Sequence, residues 1–130
     1  MKKILLIAVL ISVMFSGCSE TENDIPVIST EPVKVEIIIP DQISAHQAFN
    51  IQAKVIQADE PVNDADEVVF EYWKGGTAED AHEKVEAKLK ENGVYEIETT
   101  LKAPGTYYAI SHVQARHMHT MPKKEFVVNE

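Results

Sequence analysis

Lys84-Val85-Glu86-Ala87-Lys88-Leu89-Lys90-Glu91-Asn92-Gly93-Val94-Tyr95-Glu96-Ile97-Glu98-Thr99-Thr100-Leu101 decides the fold. The first arm alternates, with Val85, Ala87 and Leu89 on one face. Asn92-Gly93 follows, and both residues tolerate the positive φ that a two-residue hairpin turn requires. A helix competes for part of this stretch, because Ala78, Ala81, Val85 and Leu89 recur at spacings of three and four. A strand fits the seven residues Lys84 to Lys90 better, and the segments around them also read as strands. Val94 to Leu101 is then the returning arm.

Working outward, Val33 to Ile39 alternates, turns fully apolar and stops at Pro40-Asp41. Ala48 to Ala58 places Phe49, Ile51, Ala53 and Val55 on one face. Asp59 to Asp64 is a loop, Glu67 to Trp73 a strand, and Gly75-Gly76 its end. Beyond the hairpin come the Ala103-Pro104-Gly105 turn, a strand over Thr106 to Ala115, and a last strand over Lys123 to Val128. Seven short strands with regular turn signals and few helix signals predict a single all-β domain. Its expected form is an antiparallel β-sandwich of immunoglobulin type. Phe49, Phe70 and Trp73 are expected in its core. Tyr107 and Tyr108 both stand where a tyrosine corner would form, and the sequence leaves the choice open. In the strand before the last, Tyr107, Ala109, Ser111, Val113 and Ala115 are expected to face inward, leaving His112 outside.

The N-terminus reads as a secretory leader. Lys2 and Lys3 precede an apolar run, Ile4 to Phe15, that is shorter than the ~20 residues a membrane-spanning helix needs. Ser16-Gly17-Cys18 follows, with the only cysteine of the chain. Its placement is that of a bacterial lipoprotein, cleaved before Cys18 and lipidated on it. The expected division is a signal peptide over residues 1–17, a flexible acidic tether over 18–32 and one β-sandwich domain over 33–130. That gives an extracytoplasmic, lipid-anchored, monomeric protein. Without Lys2 and Lys3, 10 basic residues face 21 acidic ones, a formal charge of −11. This argues against a nucleic-acid partner, whose phosphates demand basic side chains. A lone cysteine leaves no disulfide, and lipidation of it excludes a thiolate-bound blue-copper centre.

His112-Val113-Gln114-Ala115-Arg116-His117-Met118-His119-Thr120-Met121-Pro122 gathers three of the five histidines and both methionines beyond the leader. Imidazole and thioether form a borderline-to-soft donor set that suits copper better than ions preferring oxygen. Residues two apart point the same way in a strand, so His117, His119 and Met121 share a side. His112 is five residues before His117 and joins them only if the chain turns or bulges near Arg116. Met118 is a further thioether. His82 lies between two strands at the end of the sandwich opposite this hairpin by strand parity, and ranks behind the cluster. His46 is expected to be solvated. Imidazole must be deprotonated to bind metal, so affinity should fall below a pH of about 6.5. No nucleophile–base pair, phosphate loop or paired-carboxylate motif points to an enzyme. The alternative without metal is an interaction module that is accessory to a membrane complex.

Asp64-Ala65-Asp66-Glu67-Val68, Phe70-Glu71-Tyr72-Trp73-Lys74, Asn92-Gly93-Val94-Tyr95 and Pro104-Gly105-Thr106-Tyr107-Tyr108 carry a family resemblance. It is most specific in His112-Val113-Gln114-Ala115-Arg116 and Met118-His119-Thr120-Met121-Pro122-Lys123-Lys124. The chain resembles the YtkA-like family of small bacterial lipoproteins, related to FixH-like domains. The resemblance implies an immunoglobulin-like sandwich and an extracytoplasmic role in copper handling or respiratory-oxidase assembly. A copper-receiving membrane protein would be the partner. His112, His119 and Met121 carry over as ligand positions, and His82 matches a histidine in the same inter-strand segment.

Overall fold

The computed structural model describes residues 29–130. The leader, Cys18 and most of the expected tether lie outside the described residues. Among the described residues no helix is long and apolar enough to cross a membrane.

The strands are β1 (Lys34–Ile38), β2 (Ile43–Ser44), β3 (Ala48–Gln57), β4 (Glu60–Pro61), β5 (Glu67–Lys74), β6 (Glu83–Glu86), β7 (Lys88–Glu91), β8 (Val94–Thr100), β9 (Gly105–Ala115), β10 (Met118–Thr120) and β11 (Lys123–Asn129). Among the described residues one 3₁₀ turn, Glu79–Ala81, interrupts them. They form two sheets, β1-β3-β8-β7 with β4 on β3, and β2-β11-β9-β5-β6 with β10 on β9. The two sheets make the expected sandwich. One pairing, β2 with β11, is parallel, so the molecule is not purely antiparallel.

Alternation fills the space between the sheets. Ile51, Ala53 and Val55 of β3 are fully buried, as are Phe70 of β5 and Ala109, Val113 and Ala115 of β9. A fully buried Val, Ile or Phe side chain contributes about 1.5–3 kcal/mol, so this interior is the main source of stability. Tyr107 takes the tyrosine-corner role: its hydroxyl donates to the Ala103 carbonyl at 2.8 Å. Tyr72 ties the sheets together through Thr99, hydroxyl to hydroxyl, at 2.9 Å.

Two expectations need correction. The strand expected over Lys84 to Lys90 is two strands: β6 pairs with β5 in one sheet and β7 with β8 in the other. The chain changes sheets at Ala87, whose amide donates to the Val68 carbonyl at 2.8 Å. Leu89, beyond the crossing, is therefore 44% exposed and does not share a buried face with Val85 and Ala87. Trp73 is not core. Val68, Phe70 and Tyr72 take the inward positions of β5, and side-chain period two sends Trp73 outward, half-buried.

The Asn92-Gly93 turn forms as read, with φ of 43° and 74°. A second tight turn, Arg116-His117, has φ of 51° and 62° and reverses the chain between β9 and β10. Arg116 braces this tip, donating twice to Asp64 Oδ1, at 2.7 and 3.1 Å, and once to Gln57 Oε1 at 3.2 Å.

Candidate functional site

The site is the outer face of the larger sheet. Because Phe70 and Tyr72 point inward, Val69, Glu71 and Trp73 point out. Because Ala109, Ser111 and Val113 point inward, Tyr108, Ile110 and His112 point out. The register sets Glu71 beside Ile110 and Val69 beside His112, so Glu71 and His112 are diagonal neighbours. On the other side of β9, Thr120 pairs with Val113 and Lys123 with Ile110. That common register places Met121 opposite His112, and His119 pairs with Gln114. The reversal at Arg116-His117 thus meets the condition the sequence set, and His112 shares a face with His119 and Met121 despite the odd spacing.

Glu71 is the centre of this face and was not singled out in the sequence. Its Oε1 lies 2.7 Å from His82 Nδ1, and its Oε2 lies 2.7 Å from His112 Nε2. The side chain is 9% exposed although it sits on an outer face. Its carboxyl is held below the ordinary value chiefly by the hydrogen bond from His82, against burial, which pushes it up. His112 and the Lys84 ammonium lower it further. An ionised carboxylate only accepts, so both ring nitrogens donate.

His82 reaches the centre because the Glu79–Ala81 turn delivers it there. The turn closes through Ala81 N to Ala78 O at 2.9 Å and His82 N to Glu79 O at 3.2 Å. Trp73 then stacks on the imidazole, with centroids 4.1 Å apart and planes 9° from parallel. The Lys123 ammonium lies over Tyr108 at 4.7 Å and over Trp73 at 5.2 Å. This walls one side of a cleft lined by Glu71, His82, His112 and Met121.

The remaining candidates separate. The rings of His112 and His119 have centroids 6.3 Å apart, within reach of one shared ion given metal–nitrogen bonds of about 2 Å. A smaller hollow beside them is lined by His112, His119 and Glu67. Met121 is half-exposed. Met118 pairs with the buried Ala115 and packs against the core, on the opposite side from His119. It is half-buried and does not share the face of His119 and Met121. His117 occupies the exposed tip. Strand parity placed the His82 segment at the far end from the tip and ranked it behind the cluster, yet the side chain reaches Glu71. The centre lies mid-sheet, and Glu71 links His82 to His112. Among the described residues, no three His, Cys, Asp or Glu side chains converge on one point.

The fold and this face define an all-β sandwich with a histidine-bearing sheet. The chain belongs to the YtkA-like family, which it matches over residues 29–112. The match includes Glu71, His82 and His112 and stops short of His119 and Met121. The sandwich is similar to a superoxide reductase (neelaredoxin) from Ignicoccus hospitalis, at 18% identity and a TM-score of 0.55. That likeness covers 77% of this chain and 83% of that one. It is also similar to part of an engineered protein, at 14% identity and a TM-score of 0.60, over 76% of this chain and 20% of that one. At these identities the likeness concerns the fold. No curated protein matches the chain at a significant level.

Proposed function

We propose that this is a lipid-anchored, extracytoplasmic copper-binding protein that captures copper and hands it on, or stores it. His112, His119 and Met121 are its ligands. The observation that carries the reading is the shared face of these three residues, with the His112 and His119 rings 6.3 Å apart. Two imidazoles and a thioether form a donor set that suits copper. The face is open, which suits exchange better than permanent retention. The lipid anchor is supported by Ser16-Gly17-Cys18 behind an apolar leader. A copper-receiving membrane or respiratory protein is the corresponding partner.

The test is titration of the chain from Ser19 with Cu(I) and Cu(II) separately, beside a His119→Ala, Met121→Ala variant. Stoichiometric binding that the variant loses supports the site, and the preferred oxidation state tells whether sulfur or nitrogen dominates. Equal and weak binding by both proteins would reject it and favour the interaction module.

A further inference from the structure

We propose that Glu71 is a positioning residue that fixes His82 and His112 in opposite tautomers and leaves a bare nitrogen on each ring. The inference rests on the copper reading for its purpose but on hydrogen-bond geometry for its substance. Glu71 offers one oxygen to each ring, at 2.7 Å in both cases. The contact is with Nδ1 of His82 and with Nε2 of His112. A carboxylate has no proton to give, so His82 carries its proton on Nδ1 and His112 on Nε2. The nitrogens left as lone pairs are His82 Nε2 and His112 Nδ1.

The arrangement has two consequences. A ring that donates to a carboxylate is a better metal ligand, because its orientation is set and its basicity raised. Glu71 also stands between the two histidines, so they present separate bare nitrogens and do not converge on one point. His112 then works with His119 and Met121, while His82 offers a second, single-nitrogen position across Glu71. Trp73 stacked on His82 keeps that ring from turning. In β5 the residue must be an acceptor through both terminal atoms, which glutamine is not.

The experiment is two-bond ¹H–¹⁵N spectroscopy of the histidine rings in the full chain in detergent micelles. It is run without metal at a pH of about 8, well above the ordinary imidazole value. A copper titration of the same samples accompanies it. The wild-type chain should show His82 protonated on Nδ1 and His112 on Nε2. In Glu71→Gln one oxygen becomes an amide donor, so one of the two rings must turn a lone pair to it and shift its proton. That ring should change tautomer, and where it is His112 copper affinity should fall about 10- to 100-fold. His82 protonated on Nε2 in the wild-type chain would overturn the proposal without any variant. Unchanged tautomers in a folded Glu71→Gln chain would also overturn it, and unchanged affinity after a shift at His112 would reject the copper reading at that residue. The expected tautomers in a wild-type chain that binds no copper would reject the copper reading and uphold Glu71 as the residue that fixes the two rings.

Discussion

Trp73 and His82 lie face to face, their ring centroids 4.1 Å apart and their planes 9° from parallel. Neither belongs to the interior, yet each restricts the other. Stacked aromatic pairs contribute about 0.5–1.5 kcal/mol beyond the area they bury. A double-mutant cycle on Trp73→Ala and His82→Ala, read by denaturant unfolding, should give a coupling energy in that range. Trp73 is the sole tryptophan, so its fluorescence reports on this cleft. His82→Ala should alter the emission, and substitution of the exposed His46 should not. Coupling indistinguishable from zero would mean that the rings do not hold each other in solution.

Glu71 gives stability a defined pH dependence. Its carboxyl is lowered in the folded chain, first by His82. Between the folded and unfolded values, therefore, the unfolded chain binds more protons, and stability declines as pH falls. The contribution is fully present above the unfolded value of about 4.3 and is lost as pH drops through the lower, folded value. Chemical unfolding of the wild-type chain and of Glu71→Gln should show the larger gap at neutral pH and a shrinking gap below about pH 4. The groups facing this carboxylate are His82, His112 and Lys84. A gap that widened as the pH fell below about 4 would contradict the lowered carboxyl.

The contrast between Glu71 and the strands shows what the sequence made legible. Period-two alternation depends only on which face is buried, so β1, β3, β8, β9 and β11 could be read directly. The same alternation continues unchanged when a strand passes from one sheet to the other. The crossing at Ala87 therefore leaves no trace in the pattern from Lys84 to Lys90. Glu71 sits in Val68-Val69-Phe70-Glu71-Tyr72-Trp73, where both faces carry apolar residues and period two is hidden. Its role appears only when β9 and the Glu79–Ala81 turn bring His112 and His82 against it. Residue chemistry drew attention to the hairpin arm bearing His119 and Met121. It could not say that Met118, between them and His117, would face Ala115 and the core.

The two residues of the Asn92-Gly93 turn should respond to mutation in opposite ways. Gly93 has φ of 74°, and a Cβ there would lie 2.5 Å from the Val55 carbonyl oxygen. Backbone strain of about 1–3 kcal/mol would add to a clash with backbone that cannot swing away. Gly93→Ala should cost more than about 2 kcal/mol. Asn92 has φ of 43°, a conformation that glycine adopts freely. Asn92→Gly should stay within about 0.5 kcal/mol of the parent. Thermal unfolding of both variants checks the pair, and a mild Gly93→Ala would mean that the turn can open away from β3.

Ser111 is the inward residue of β9 that does not match its neighbours. It is fully buried between Ala109 and Val113, and its hydroxyl has no hydrogen-bond partner among the described residues. Its backbone is satisfied, since the amide donates to Pro122 O at 3.1 Å. A buried hydroxyl without a partner carries a desolvation cost of about 1–3 kcal/mol. Ser111→Ala removes that cost and leaves a cavity of only one atom. The variant should melt at the same temperature as the parent or above it, with a gain of up to about 1 kcal/mol. Ser111→Ala should also leave the proposed copper binding unchanged, because the side chain points away from His112 and its face of the sheet. A loss of stability beyond about 1 kcal/mol would show that the hydroxyl is bonded in solution.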